Sequence, residues 1–302
     1  MERNEDFSRL EISLPACLDN YRYFRSKLEP STRLLVLVKA NAYGHGATEF
    51  ASLMENAGAD YLAVAYPVEG VELREAGIKT PIMVLTAGTD FFNEIIDYGL
   101  EPGIPNLSSL KVLCGVLKER GVTDFPIHIK LDTGMHRLGF MTEEIPSLTE
   151  FLSGCHEVKV KSVYSHLAAA DDPENDGFTI GQAELFVRNA DMVSATLGYK
   201  PLYHLLNSAG IERFPQYQFD MVRLGISVMA VKRASADIKG YNLYFFARRT
   251  AYTVKISVRV NAKTVRDCKY FLHFLYQPFI YFEISFSKFP CRHCCKMHAV
   301  VL

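Results

Sequence analysis

The chain has 302 residues, 49% of them hydrophobic and 22% charged, with a formal net charge of −1. That size and balance suit one large α/β unit with ample core, and no overall field exists to recruit nucleic acid or an anionic membrane. Seven cysteines, three of them spread over the first 230 residues, fit reduced thiols rather than a disulfide framework. The amino terminus MERNEDFSRL has no apolar stretch of the kind a signal peptide needs. The most hydrophobic window, 270–286, contains His273, Gln277, Pro278 and Glu283 and makes a poor membrane span. A cytoplasmic protein is expected.

In chain order, a short strand at Leu10–Leu14 and a helix at Ala16–Leu28 come first. An α/β cadence follows. Strands are expected at 34–39, 61–65, 82–85, 101–104, 127–131, 161–166, 202–206 and 221–226, and helices at 47–57, 68–76, 91–98, 107–119, 143–154 and 177–197. Strands alternating with helices imply parallel βαβ units, and eight of them imply a closed (β/α)8 barrel of the TIM type. No internal repeat and no phosphate-binding loop of the nucleotide-hydrolase kind is visible.

The segment Leu34–Gly46, LLVLVKANAYGHG, organises the rest. Five apolar residues lead into Lys39, which places an amine at the carboxyl end of a buried strand, where such barrels put their chemistry. Partial desolvation lowers the pKa of that amine and makes it a nucleophile towards an aldehyde; a lysine simply ending a strand in solvent is the alternative. The fifth strand carries HIKLDTGMHRLGF, with Lys130 at its end and Arg137 on the loop that follows. Three cations in one mouth repel each other unless an anion balances them, so a bound anion or a modified lysine is expected. The sixth strand ends in YSHLA with His166, and the seventh in HLLNSAG with Asn207 and Ser208, where a hydroxyl and backbone amides can cradle an anion. The eighth gives DMVRLGI, with Arg223, Gly225 and Ile226.

VKANAYGHGA resembles the lysine motif of alanine racemases, barrel enzymes that use pyridoxal 5'-phosphate, and the resemblance runs from about residue 9 to about residue 226. It implies that Lys39 carries the cofactor covalently and acts as a catalytic base. It further implies that Tyr43, Leu85, Arg137, His166, Asn207, Ser208, Arg223, Gly225 and Ile226 contact the cofactor. Arg137 would also seat the substrate carboxylate, and Lys130 would be open to carbamylation. No metal is expected. A guanidinium holds its proton, so Arg223 facing the pyridine nitrogen would weaken the ring as an electron sink and favour racemisation over transamination. The implied partners are alanine and, in the family, a second copy of the chain in a homodimer. The implied role is an isomerase of D-alanine biosynthesis that supplies peptidoglycan synthesis.

Family members continue into a carboxyl-terminal β-domain, and here the text diverges at Arg223-Leu-Gly-Ile-Ser-Val-Met-Ala-Val. Val-Met-Ala can hide Tyr-Gly in a shifted frame, so a frameshift near residue 227 is the expected cause. Residues 231–302 hold 13 Lys/Arg against 3 Asp/Glu, one glycine and 14 of the 36 aromatics, which leaves few turn residues. A barrel over 9–230 and an atypical, poorly ordered tail over 231–302 are expected, with one strand inside 252–260. The cluster Cys291-Arg-His-Cys-Cys-Lys-Met-His298 lacks a distant second ligand pair and reads as reactive thiols rather than a zinc site.

Racemisation needs two bases on opposite faces of Cα, and the family's second base, a tyrosine of the β-domain, has no counterpart here. Three readings follow: an alanine racemase acting through Lys39, a cofactor-binding barrel without turnover, and a barrel-type amino-acid decarboxylase. Arg223 speaks against the last.

Overall fold

A computed structural model describes residues 12–229 and the backbone of 242–246, 253–257 and 282–283. Eight parallel strands close into a barrel in sequence order: β1 (Arg33–Leu37), β2 (Tyr61–Val64), β3 (Ile82–Val84), β4 (Glu101–Ile104), β5 (Phe125–Lys130), β6 (Val158–Tyr164), β7 (Leu202–His204) and β8 (Met221–Leu224). Closure comes from β8 pairing with β1, Leu35 opposite Arg223. Five of these strands, β2, β3, β4, β5 and β8, are buried on nearly every residue, as strands covered on both faces should be, and β1 is buried over its central Leu34–Val36. β6 starts earlier than its sequence suggests because Val158 and Val160 point inward while Lys159 and Lys161 point to solvent. Carboxylates supplement the ladder near the strand starts: Asp60 accepts from the Leu34 amide and Asp220 from the Tyr203 amide, each at 2.8 Å.

The connecting helices are α1 (Leu14–Arg25), α3 (Ala47–Asn56), α4 (Pro67–Glu75), α5 (Phe92–Asp97), α6 (Leu107–Glu119), α7 (Ile145–Ser153), α8 (Asp176–Leu197) and the short α9 (Ser208–Arg213). Local signals set their ends. Asn106 caps α6 by accepting from the Ser109 amide, Pro67 opens α4, and α8 stops at the left-handed Gly198. The strand expected over Leu10–Leu14 is not found in its described part; Leu14 begins α1 instead, because Pro15 presets the first turn of a helix and has no amide to give a sheet. Two short elements were not expected, α9 and the segment α2 (Lys39–Gly44).

Beyond the barrel, β9 (Asn242–Phe246) pairs antiparallel with β10 (Thr253–Ser257) and with β11 (Phe282–Glu283). β10 falls inside the strand expected at 252–260. The Cys291–His298 cluster lies outside the described residues. No helix among the described residues is long and apolar enough to cross a membrane.

The barrel interior is divided. Leu35, Tyr61, Ala63, Met83, Tyr164 and Met221 form an apolar cluster, with Leu37 and Leu85 packed against it. Glu101, His128, Ser162, His204 and Arg223, also buried, share the same interior.

Candidate active site

The mouth is built at the carboxyl ends of the strands. β1 stops at Leu37, and Lys39 opens α2, which is helical in its hydrogen bonds but left-handed: Ala40, Asn41, Ala42 and Tyr43 all have φ between 51° and 55°. Left-handed backbone costs an L-residue about 1–2 kcal/mol, and among these four only Asn tolerates it readily. Tertiary contacts hold the turn. Glu69 of α4 accepts from the Ala40 amide at 2.5 Å, and its other oxygen accepts from the amides of Ala65 and Tyr66. Asn41 Oδ1 accepts from the Ala47 amide at 2.7 Å. The result presents Lys39 and Tyr43 on one rigid loop. Glu69 is a positioning residue that sequence reasoning missed; an acid at the third position of a helix with proline at its start is the signal that could have found it.

Lys39 is half-buried, and its amine titrates below its ordinary value, first because of burial and then because of the Arg137 charge, with Glu69 opposing. Lys130, the last residue of β5, is only 9% exposed. Burial, Arg137, Arg223 and Lys39 push its amine down to about 8 despite Asp132. Arg137 itself is exposed on the loop, where Asp132 accepts from the amides of Gly134 and His136. The expected crowd of cations is therefore present, and it contains a fourth member, Arg223.

Arg223 is 4% exposed. Nη1 donates to the His204 carbonyl at 3.0 Å, and Nη2 donates to the carbonyls of Ser165 at 2.6 Å and Leu205 at 2.8 Å. Nη1 also reaches His204 Nδ1 at 3.3 Å, and Nη2 reaches His166 Nδ1 at 3.5 Å. Burial lowers its pKa to about 10, which still leaves it charged at neutral pH. Because a guanidinium only donates, these contacts fix the imidazoles. Burial and the neighbouring cations bring His166 down to about 3, and His204 is lowered as well, so both are neutral acceptors at Nδ1. His204 Nε2–H then donates to Ser162 Oγ at 2.8 Å, Ser162 donates to His128 Nδ1 at 2.6 Å, and His128 Nε2–H donates to the Glu101 carboxylate at 2.9 Å. A one-directional chain of donors thus runs from Arg223 through the barrel to an acid on β4. Its members come from five strands and share no motif, and sequence reasoning found only Arg223.

The opposite wall joins β7, β8 and α2. Ser208 Oγ accepts from the Gly225 amide at 2.9 Å. A methyl group at Gly225 would stand 3.0 Å from the Tyr43 hydroxyl and 3.7 Å from Ser208 Oγ, so the two hydroxyls converge on a space that glycine leaves open. Asn207 is occupied otherwise: Oδ1 caps α9 by accepting from the Gly210 amide, and Nδ2 donates to the Leu167 carbonyl. Ile226 is exposed beside the cradle, and Leu85, just past β3, donates its amide to the Val64 carbonyl while packing on the apolar cluster. Gln182 of α8, also missed in sequence, clamps the loop after β6 by bonding the His166 carbonyl and the Ala168 amide.

This donor set fits a compact phosphorylated aldehyde. Two hydroxyls and a glycine cradle suit the phosphate, the half-buried amine suits the aldehyde, and surplus positive charge suits the anionic groups of such a molecule. Arg223 spends its Nη groups on protein acceptors, while its Nε has no hydrogen bond among the described residues.

Comparisons with known proteins identify the family and the fold. The family described as "Alanine racemase, N-terminal domain" matches residues 12–232. Alanine racemase of Synechocystis sp. is 37% identical over 222 residues, covering 72% of this chain and 59% of that protein. The enzyme of Nostoc sp. is 37% identical over 223 residues, covering 72% and 57%. Among solved structures, alanine racemase of Clostridium difficile 630 superposes with a TM-score of 0.69 at 30% identity, covering 78% of this chain and 61% of that one. That of Streptomyces lavendulae gives 0.69 at 30%, covering 76% and 60%. The chain spans about three-fifths of the length of these relatives. By its sequence and by its barrel, it belongs to the alanine racemase N-terminal domain family.

Proposed function

We propose that this chain is the pyridoxal 5'-phosphate barrel of an alanine racemase, acting on the L- and D-forms of alanine. The observation that carries the reading is the meeting of Lys39, the Tyr43–Ser208–Gly225 cradle and the buried Arg223 in one mouth. Tyr43 and Ser208, with the backbone of Gly225 and Ile226, would hold the phosphate. Lys39 would meet the aldehyde, Arg223 Nε the ring nitrogen, and His166 and Leu85 the ring. Bound there, the cofactor supplies an electron sink for the carbon that loses its proton.

The remaining work belongs to the protein. Lys39, with its lowered pKa, holds or releases a proton at Nζ on one face of the substrate Cα. Arg223 keeps its proton, because carbonyl oxygens surround it and no carboxylate takes that proton away. Arg137, exposed at the rim, is free to meet a carboxylate arriving from solvent. Lys130, titrating near 8, has enough neutral amine to add carbon dioxide and lose a proton. The resulting carbamate would turn one of four mutually repelling cations into an anion beside Arg137.

Lys39 is the single proton-transfer group assigned to this chain, and the opposite face of Cα needs another. The barrel unit is taken as 9–230 and residues 231–302 as a separate, atypical tail. Cofactor binding with little or no racemisation is therefore the expected behaviour of the chain alone. The test is an absorbance scan with pyridoxal 5'-phosphate before and after borohydride, followed by a D-alanine assay on the same sample. A visible band that borohydride fixes at Lys39, with no D-alanine formed, is the expected result. Turnover would show that a second base is present after all, and the absence of any band would overturn the reading.

A further inference from the structure

Away from the mouth, three side chains that no part of the racemase reading uses come together. Cys114 lies in the middle of α6, while Cys155 and Glu157 lie between α7 and β6. Cys114 Sγ is 2.8 Å from Cys155 Sγ, and Cys155 Sγ is 3.2 Å from Glu157 Oε2. All three donor atoms lie within 4.8 Å of one another. Since the carboxylate can only accept, Cys155 donates to Glu157 and Cys114 donates to Cys155. Two thiol protons thus fill the gaps between three groups that would repel one another once ionised, and burial together with that repulsion keeps both thiols protonated.

From this arrangement we infer a binding site for a thiophilic divalent cation of the zinc type, with Cys114, Cys155 and Glu157 as ligands and water in the fourth position. Two sulfurs and a carboxylate oxygen are the donor types zinc prefers, and three protein ligands plus water is a usual coordination. With metal–sulfur bonds of about 2.3 Å, tetrahedral geometry sets the sulfurs about 3.8 Å apart. The two Sγ atoms therefore have to separate by roughly 1 Å, which small side-chain rotations supply. Space for the fourth ligand exists: the cluster opens on a cavity of about 480 Å³, and Gly115 and Gly154 put no side chain over it. Lys111 and Lys118 stand on its rim, and the hydrogen bond from Cys155, with a smaller contribution from the Lys118 charge, holds Glu157 below its ordinary value. Binding exchanges the two thiol protons for the metal, so each cation taken up releases two protons to solvent. Cys114 and Cys155 are 41 positions apart, which is why no spacing motif announces the site.

The experiment uses the full chain with Cys268, Cys291, Cys294 and Cys295 changed to Ser, so that the tail cannot compete. The protein is reduced with a phosphine, freed of metal, and titrated with Co²⁺ and then with Zn²⁺. One equivalent of Co²⁺ should give a thiolate-to-metal absorbance band, two protons should appear per metal, and Zn²⁺ should displace the cobalt. Cys155→Ser, at a half-buried loop position, should abolish the band while the far-ultraviolet circular dichroism stays unchanged. Glu157→Gln should keep a weaker band with affinity reduced by about tenfold or more. Absence of a thiolate band in the reduced protein, or a band that survives both Cys155→Ser and Cys114→Ser, would overturn the proposal.

Discussion

The two halves of the barrel interior are made on different principles. Around β1, β2 and β3 the filling is apolar, with Leu35, Tyr61, Ala63 and Met83 joined in one cluster by Tyr164 of β6 and Met221 of β8. Across β4 to β8 it is a chain of hydrogen bonds from Arg223 to Glu101. Apolar packing tolerates exchange of like for like, whereas a buried polar chain is only as good as its least satisfied member. The difference indicates where precision is kept. A cation that must face one ring atom is held by directional bonds, and the opposite side needs only to be filled.

Four experiments bear on this division. The largest effect is expected at the mouth itself: Lys39→Ala should leave no cofactor fixed by borohydride, read as label on the intact protein by mass spectrometry. Arg223→Met comes next. It strips donors from three buried carbonyls and from His204, and should cost about 3–5 kcal/mol in urea unfolding. A loss below 1 kcal/mol would mean the polar half does not depend on its guanidinium. A sharper contrast comes from a matched pair, Ser162→Ala against Met83→Leu. Removing the Ser162 hydroxyl leaves His128 and His204 without their shared partner and should cost about 1–3 kcal/mol, while the apolar exchange should cost less than about 1.5 kcal/mol. Equal costs would erase the distinction.

The smallest effect concerns pH. Lys130 titrates at about 8 in the folded protein against an ordinary 10.5, so between those values the unfolded chain binds the extra proton. Stability of the cofactor-free protein in carbonate-free buffer should therefore rise with pH across that window, and below it the penalty of burying the cation is complete. Lys130→Met should flatten the rise, which parallel urea titrations at several pH values would detect.

The barrel itself was legible because β1, β2 and β3 are short, largely apolar runs that set the cadence and several helices carry their own stop or start, such as Asn106, Pro67 and Gly198, whereas β4, with Glu101, Pro102 and Gly103, carries little strand signal of its own. Lys39, Arg223 and Ser208 could be picked out because each is a polar residue where a buried strand ends or passes. Glu101, His128, Ser162 and His204 could not. They lie on four different strands, and their pairing depends on barrel register, which no local pattern encodes. The left-handed turn was equally hidden, since Ala40, Ala42 and Tyr43 have no preference for that backbone and only the surrounding bonds impose it. Asn207 carries a second duty that the resemblance did not announce: its side chain caps α9 by accepting from the Gly210 amide.

That turn also sets an order of assembly. The bond that secures Ala40 comes from Glu69, 29 positions later, and the same carboxylate gathers the end of β2. A chain that had made only the first strand and α3 would hold those four left-handed residues by local bonds alone, Asn41 to the Ala47 amide among them, without the carboxylate of Glu69. The turn that carries Lys39 therefore gains its full set of supports only with the second βα unit in place, although the amine itself belongs to the first.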